Sequence, residues 1–147
     1  MSLDGAYDPD NIFAKIIRGD MPAAKVFEDD HVLAFMDVFP QSRGHLLVIS
    51  KSSKARNLLD VEPKALDQLM HGVQRLAKAL RAALKPDGIV LTQFNGAPAG
   101  QTVFHLHFHL IPRYADTPLR PHGEGGMADP QELAALAQQI ASETKCA

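Results

Sequence analysis

The stretch Phe104-His105-Leu106-His107-Phe108-His109-Leu110-Ile111-Pro112-Arg113 places three histidines at alternate positions and fills the gaps with large apolar side chains. Successive side chains of a β-strand point to opposite faces, whereas steps of two residues turn about 200° around a helix and gather on no helical face. The pattern therefore predicts a half-buried strand over residues 104–113. Its apolar side chains line a buried face, and its three imidazoles share the other, open face.

Three imidazoles on one face indicate chemistry, because histidine changes protonation near neutral pH and can act as a base, acid, nucleophile or metal ligand. Along a strand, His105 and His109 lie roughly 13 Å apart. Three ligands in that line do not converge on one zinc ion, whose bonds to nitrogen are about 2.0–2.1 Å, so a metal site would need a ligand from elsewhere, such as His45 or Asp37. A phosphate group suits the spacing better, with His107 as a nucleophile at phosphorus and its neighbours holding proton and charge.

The rest of the chain predicts an α+β fold. The predicted helices cover 11–19, 63–84 and 130–142, and the other predicted strands cover 24–28, 32–37, 45–50 and 89–94. Short loops join the first two strands and the last two, as in antiparallel neighbours. We expect an antiparallel five-stranded sheet with one long and one short helix packed on it.

The domain organisation follows from these elements. We divide the chain into an N-terminal tail (1–10), one domain (11–113) and a C-terminal extension with a terminal helix (114–147). A length of 147 residues and an apolar fraction of 46% suit one domain with a proper core.

Composition also limits the partners. A net charge of -2 argues against a nucleic-acid or acidic lipid partner. No stretch approaches the roughly 20 apolar residues that span a bilayer, and the first ten residues lack signal-peptide features. We expect a cytoplasmic protein that engages no nucleic acid and no membrane. Cys146 is the single cysteine, which excludes an intrachain disulfide.

The loop before the histidine strand is rich in hydrogen-bond donors for a phosphate. It offers Gln101, Thr102 and the backbone N–H groups around Gly100. Asp37, at the end of the second strand, suits a ribose diol, because a carboxylate accepts two hydrogen bonds. The chain has no G-x-x-x-x-G-K-[ST] loop, no G-x-G-x-x-G turn and no clustered carboxylates, which disfavours a Walker-type ATPase and a two-metal phosphatase.

The run His105 to Ile111 resembles the H-φ-H-φ-H-φ-φ signature, with φ an apolar residue, of the histidine triad (HIT) nucleotide-binding proteins. Other segments resemble that family in order and spacing, and these are 12–19, 27–30, 34–37, 44–49, residue 95 and 100–102. The resemblance covers Asn11 through Arg113.

The resemblance implies a homodimer whose two sheets join into one, with a nucleoside monophosphate in each cleft. It also implies a nucleotidyl hydrolase or transferase that needs no cofactor. Such an enzyme cleaves a purine nucleoside 5′-monophosphate, AMP above all, from phosphoramidate, acyl-adenylate or dinucleoside polyphosphate substrates through a nucleotidyl-histidine intermediate.

The resemblance also assigns residues. His107 matches the nucleophile, His109 the contact to the α-phosphate and scissile bridging atom, and His105 and His45 the supporting hydrogen-bond network. The remaining matches bind the nucleotide: Asn95, Gln101 and Thr102, with Gly100 of the same loop, at the phosphate and leaving group; Asp37 at the ribose; and Ile12, Phe13, Ile16, Phe35 and Val38 at the base.

The sequence departs from the family at a zinc site. Many bacterial relatives read C-x-F-C near the start and bind structural zinc with it, whereas Asn11 and Ala14 occupy those places here, and Ser53 replaces a later histidine ligand. We therefore predict no zinc. No motif transfers to residues 114–147.

Two alternatives stay open. A metal-binding hydrolase that uses His45, His105 and His107 would lose activity with a chelator and regain it with zinc. A nucleotide-binding regulatory protein with vestigial activity would keep its role after replacement of His107.

Overall fold

The computed structural model describes residues 3–119 and 126–145, so Cys146 lies outside the described residues. The helices are α1 (Ile12–Arg18), α2 (Pro63–Leu84) and α3 (Pro130–Thr144), and the strands are β1 (Lys25–Glu28), β2 (Val32–Met36), β3 (Leu46–Ser50), β4 (Gly88–Thr92) and β5 (His107–Arg113). None of the helices in the described part of the chain has the length and apolar character needed to cross a membrane.

The five strands form one sheet in the order β1-β2-β3-β5-β4, and each neighbouring pair is antiparallel. The predicted α+β class and five-stranded antiparallel sheet are confirmed. We expected two helices packed on the sheet, and the structure adds a third. The terminal helix α3 packs against both α2 and β1.

Two apolar clusters lie on opposite faces of the sheet. The larger cluster joins α2 and α3 to alternate strand residues such as Val48, Phe108 and Leu110. The smaller cluster joins α1 to the other strand face and contains Phe13, Ile16, Leu33, Phe35, Leu47 and Ile49. His107 pairs with Ile49 and His109 with Leu47. Since residues opposite each other in an antiparallel pair share a face, both histidines lie on the α1 side.

The prediction that the imidazole face is open is wrong. His105, His107 and His109 are only 2%, 7% and 7% exposed. The rings of Phe13 and Tyr7 pack edge-on against this face, at 4.9 Å from His107 and 5.6 Å from His105. The alternating pattern of the strand predicts which side of the sheet the histidines occupy. It does not predict that this side is covered, because the covering residues lie about 90 positions earlier in the chain.

The histidine strand also begins later than predicted, because the pairing with β3 runs out. The last pair is Ile49 with His107, and β5 therefore starts at His107. The next carbonyl of β3, that of Ser50, accepts a hydrogen bond from the His105 ring instead, at 2.9 Å. The Leu106 N–H donates to the Ala55 carbonyl at 3.0 Å. His105 thus precedes the strand.

Gly44 brings the chain into β3 just before His45. Its φ of 93° lies in the left-handed region, and a Cβ there would collide with Leu84 and lie 3.2 Å from Pro112. Only glycine fits this approach without strain. Gly44 therefore lets His45 enter the sheet close to the end of β5.

Candidate active site

His107 stands at the first position of β5 with a defined tautomer. Its Nδ1 lies 2.7 Å from the carbonyl oxygen of His105. A carbonyl only accepts hydrogen bonds, so Nδ1 carries the proton and donates, and in the neutral ring Nε2 holds the lone pair. Phe13 packs at an interplanar angle of 87° against the ring. The side chain is therefore oriented with Nε2 as its basic atom.

His109 has the opposite tautomer, because a chain of hydrogen bonds reaches it from the loop before β3. The backbone N–H of Gln41 donates to Nδ1 of His45 at 3.0 Å, so the proton of the neutral His45 ring is on Nε2. That Nε2 lies 3.0 Å from Nδ1 of His109 and donates to it. The neutral His109 ring then carries its proton on Nε2.

The two rings are neighbours, with centroids 5.1 Å apart. One ring therefore offers a lone pair at Nε2, and the other offers an N–H at Nε2. Such a pair can attack an electrophile at one point and donate a hydrogen bond to an adjacent atom of it.

Asp37 lies against His45. Its Oδ2 is 3.4 Å from Nε2 of His45, and its Oδ1 accepts from the backbone N–H of Phe39 at 2.8 Å. Asp37 is buried, with 5% of the residue's surface exposed. Its negative charge stands beside the ring that donates to His109 and favours the N–H at that position.

Asp37, His45 and His109 also form a group of potential metal ligands. One ligand atom of each lies within 4.8 Å of the others, and residues 3–119 and 126–145 contain no second group of this kind. The alternative set from the sequence, His45 with His105 and His107, is not brought together. Both ring nitrogens of His105 are held by Ser50 and Tyr7.

The His105 ring is neutral and buried, and both of its nitrogens are hydrogen-bonded. Its Nε2 donates to the Ser50 carbonyl at 2.9 Å, so Nδ1 is an acceptor, and it lies 2.7 Å from the hydroxyl of Tyr7. Burial lowers the pKa of His105 from 6.5 to about 4, against the opposing effect of the Ser50 hydrogen bond. His105 therefore supports His107 through its backbone carbonyl and stays uncharged near neutral pH.

Tyr7 was missed by the sequence analysis. Residues 3–10, where we expected a tail, form no helix or strand, but the Leu3 carbonyl accepts from the Asn57 side chain at 2.9 Å and Tyr7 reaches His105. A single aromatic residue in an aperiodic stretch gave no pattern that could have identified it.

Gln101 and Gly100 use their polar groups within the loop. The Gln101 side chain is 3% exposed, accepts from the Gly96 N–H at 2.8 Å and donates to the carbonyls of Arg56 and Val103 at 2.7 and 3.1 Å. The N–H groups of Gly100 and Gln101 donate to carbonyls of the same loop. These predicted phosphate contacts thus shape the loop in the structure.

Asn95 has a similar bridging role, whereas Thr102 faces solvent. The Asn95 Oδ1 accepts from the Leu58 N–H at 3.0 Å and from the Gln93 side chain at 2.9 Å. Thr102 is exposed. Among the predicted phosphate and leaving-group side chains, Thr102 is the one that the loop presents outward.

The predicted base contacts fall into two groups. Ile12 and Val38 are 43% and 41% exposed, whereas Phe13, Ile16 and Phe35 are 6%, 5% and 3% exposed. The buried three belong to the smaller apolar cluster. Ile12 and Val38 are therefore the residues with apolar surface available to a ligand.

The positions of the family's zinc ligands serve local structure here. The Asn11 side chain caps α1 by accepting from the Ala14 N–H at 2.9 Å, and Ser53 accepts from the Ala55 N–H at 3.1 Å. The absence of zinc stays a prediction.

Comparison with known proteins places the chain in a family. The model of the HIT domain matches residues 18–116. Protein hit of Bacillus subtilis (strain 168) is 47% identical over 103 residues, which cover 70% of each chain. Adenosine 5′-monophosphoramidase hnt1 of Schizosaccharomyces pombe is 34% identical over 142 residues, 91% of this chain and 98% of the relative. The chain belongs to the HIT family, as the histidine strand indicated.

Solved structures agree with this assignment. A Hit-like protein from Bartonella henselae, described as involved in cell-cycle regulation and carrying an unknown ligand, matches with a TM-score of 0.86 and 45% identity over 94% of this chain and 99% of that one. A zinc-bound histidine triad family protein from Mycobacterium smegmatis matches with a TM-score of 0.80 and 31% identity over 93% and 94%.

Burial of neutral His105 makes the free energy of unfolding depend on pH. The unfolded chain takes up a proton near pH 6.5, but the folded chain does so only near pH 4, so this contribution is full above pH 6.5 and is lost as the pH falls toward 4. We expect a loss of roughly 2–3 kcal/mol from His105 between pH 7 and about pH 4.5. Urea unfolding at the two pH values should show a smaller loss in His105→Gln than in His71→Gln, a control on the exposed face of α2.

Equal losses in the two variants would contradict this expectation. If His105→Gln does not fold, the ring resonances of His105 in the unsubstituted protein decide, because they should not titrate between pH 7 and about pH 5.

Proposed function

We propose that this protein is a nucleotidyl hydrolase or transferase that works through a covalent intermediate on His107 and without a metal ion. It would release a nucleoside 5′-monophosphate, AMP above all, from a phosphoramidate, an acyl-adenylate or a dinucleoside polyphosphate. The observation that carries the proposal is the pair of opposite tautomers on the neighbouring rings of His107 and His109. Family membership supports it, and one relative is named an adenosine 5′-monophosphoramidase.

In the first step, Nε2 of His107 attacks the α-phosphorus. A P–N bond forms, the bond from phosphorus to the leaving group breaks, and its electron pair departs with that group. The His109 Nε2–H donates a hydrogen bond to the phosphate or the bridging atom, where negative charge increases. The positive charge on the modified His107 ring is stabilised by its Nδ1–H bond to the His105 carbonyl.

In the second step, water attacks the same phosphorus. The P–N bond breaks, its electron pair returns to Nε2 of His107, the monophosphate is released, and one proton passes to solvent. An alcohol or phosphate in place of water would give transfer instead of hydrolysis.

The nucleoside would bind beside these rings. A carboxylate has about four acceptor positions, and the buried Asp37, whose Oδ1 accepts from the Phe39 N–H, is the residue that we propose for a ribose hydroxyl. Ile12 and Val38 supply the exposed apolar surface for a base. In this proposal, the ribose contact lies next to His45, which donates to His109.

Replacement of His107 tests the covalent step. We expect His107→Ala to lose at least about a thousandfold in kcat, because the nucleophile is gone, while its affinity for AMP stays within about tenfold. Turnover should be measured side by side on adenosine phosphoramidate, an aminoacyl-adenylate and diadenosine polyphosphates, and AMP binding by calorimetry. The exposed His31 offers a matched control as His31→Ala, which should retain both properties.

Mass spectrometry of the quenched reaction should detect one nucleotidyl group on the unsubstituted protein and none on His107→Ala. Substantial turnover by His107→Ala would refute the mechanism.

A metal-dependent hydrolase is the second candidate, and the cluster of Asp37, His45 and His109 favours it. The separations of 3.0 and 3.4 Å between their ligand atoms approach the distance of about 3.3 Å between ligands around tetrahedral zinc. However, the Gln41 N–H bond to Nδ1 of His45 keeps the His45 proton on Nε2, inside the cluster. A metal ion would have to displace that proton, so we prefer the hydrogen-bond chain.

Chelation separates the two candidates. Exhaustive dialysis against a strong chelator should leave kcat within about twofold, since every step of the proposed reaction uses histidine nitrogens. The metal content of the dialysed protein should be measured alongside. Activity that disappears with the metal and returns with added zinc would establish the second candidate.

We also propose that the protein forms a homodimer through β4. The sheet order places β4 at an edge, and an edge strand presents backbone groups that pair readily with another strand. Leu91 of β4 pairs with Leu110, so it lies on the face covered by α2, yet it is 47% exposed. The opposite edge strand, β1, has four residues, and charged residues stand at its two ends, Lys25 and Glu28. It is therefore less suited to pair with a strand of a second copy.

Leu91→Lys should weaken this dimer by at least about tenfold, because the lysine charge would be buried between two copies. Sedimentation velocity should detect a species of twice the 16.0 kDa chain mass in the unsubstituted protein and mainly monomer in the variant. Leu59→Lys is the control, since Leu59 is 68% exposed in the loop before α2. A monomeric unsubstituted protein, or equal dissociation of the two variants, would contradict the interface.

A further inference from the structure

We propose that Tyr7 is a positioning residue for His107: its hydroxyl fixes the side chain of His105, and the His105 carbonyl then holds His107 in the tautomer with a basic Nε2. The reaction that this serves is the one proposed above, and the inference rests on it to that extent. The positioning itself is a property of the protein alone and can be tested without a substrate.

Two hydrogen bonds connect Tyr7 to the nucleophile through His105, and a third anchors the His105 ring. The Tyr7 hydroxyl donates to Nδ1 of His105 at 2.7 Å, and Nε2 of His105 donates to the Ser50 carbonyl at 2.9 Å. The His105 carbonyl accepts from Nδ1 of His107 at 2.7 Å. Because both ring nitrogens of His105 are bonded to fixed groups, its imidazole has one orientation and one tautomer.

His105 needs this support because it lies outside the sheet. Pairing between β3 and β5 begins at Ile49 and His107, so no strand hydrogen bond of that pair reaches His105. The carbonyl that sets the tautomer of His107 thus belongs to an irregular segment. The Leu106 N–H of the same peptide unit is held by the Ala55 carbonyl, and the contacts of the His105 side chain with Tyr7 and Ser50 fix the other side of this unit.

The surroundings allow the hydroxyl to be tested separately from the ring. The Tyr7 ring packs edge-on against His105 at 5.6 Å, a contact that phenylalanine preserves. His105 is 2% exposed, so water has little access to replace the lost donor at Nδ1. An unsatisfied buried acceptor is destabilising, which favours rearrangement of the ring.

The N-terminal segment holds Tyr7 between two attachments. Before it, the Leu3 carbonyl accepts from the Asn57 side chain, and Asn57 is 0% exposed. After it, Asn11 caps α1, the helix that carries Phe13 onto His107. The segment that contains Tyr7 is therefore attached to the rest of the protein both before and after this residue.

The experiment compares Tyr7→Phe with Tyr114→Phe, which removes the hydroxyl of the other of the two tyrosines. The Tyr114 hydroxyl donates to the Arg43 carbonyl, so the control removes a tyrosine hydroxyl that does not bond to a histidine. We expect Tyr7→Phe to lower kcat about tenfold with KM within about twofold, because the substrate contacts remain while the nucleophile is less well oriented. Tyr114→Phe should match the unsubstituted protein.

Nitrogen NMR of the histidine rings supplies the readout that does not depend on activity. In Tyr7→Phe, the Nδ1 resonance of His105 should move toward that of an acceptor without a donor, and the Nδ1 resonance of His107 should move as well. A shift of the His105 resonance alone would mean that the Tyr7 hydroxyl bonds to His105 without affecting His107. That result would overturn the proposal. Unchanged kcat, or an equal loss in the two variants, would overturn it too.

A second variant covers the case in which Tyr7→Phe does not fold. In Tyr114→Phe, Tyr7 is the single tyrosine, so fluorotyrosine incorporation labels that position alone. Fluorine withdraws electron density from the phenol and makes its hydroxyl a stronger donor to His105. The Nδ1 resonances of His105 and His107 should then both move, and movement at His105 alone would refute the proposal. Absence of nucleotidyl activity in the unsubstituted protein would refute the proposed function, while the NMR comparison would still decide the role of Tyr7.

Discussion

The arrangement of the site depends on backbone groups that fix histidine tautomers. Carbonyl oxygens of Ser50 and His105 require N–H groups opposite them, and the Gln41 N–H requires a lone pair. From these three contacts the proton positions on His105, His107 and His45 follow, and His109 follows from His45. The basic Nε2 of one ring and the N–H at Nε2 of its neighbour are therefore consequences of chain geometry.

Burial strengthens this arrangement. The histidines and Asp37 lie where water is scarce, so each hydrogen bond is stronger and a charge on an imidazole is unfavourable. The depressed pKa of His105 expresses the same effect. The His105 ring therefore stays neutral near pH 7, and its backbone carbonyl already stands at the atom of the His107 ring where positive charge would develop.

The surrounding loops act mainly as scaffold. Gln101 ties its own loop to the Arg56 carbonyl, and Asn95 ties the end of the β4 region to Leu58. Residues that the resemblance assigned to ligand contacts thus carry internal hydrogen bonds as well. A polar residue in such a loop can match a family motif and, in the structure, hydrogen-bond to the backbone and hold it in place.

The sequence by itself determined the class of fold, the helix and strand positions to within a few residues, and the face of the sheet to which His107 and His109 belong, because these features follow from local periodicity. Only the tertiary structure decided that the imidazole face is covered, that His105 lies outside β5, that Asp37 and His45 meet His109, and that Tyr7 reaches His105. The contacts of His109 with His45 and of His105 with Tyr7 join residues 64 and 98 positions apart. Contacts at such separations arise when elements pack, and no local pattern of side chains encodes them.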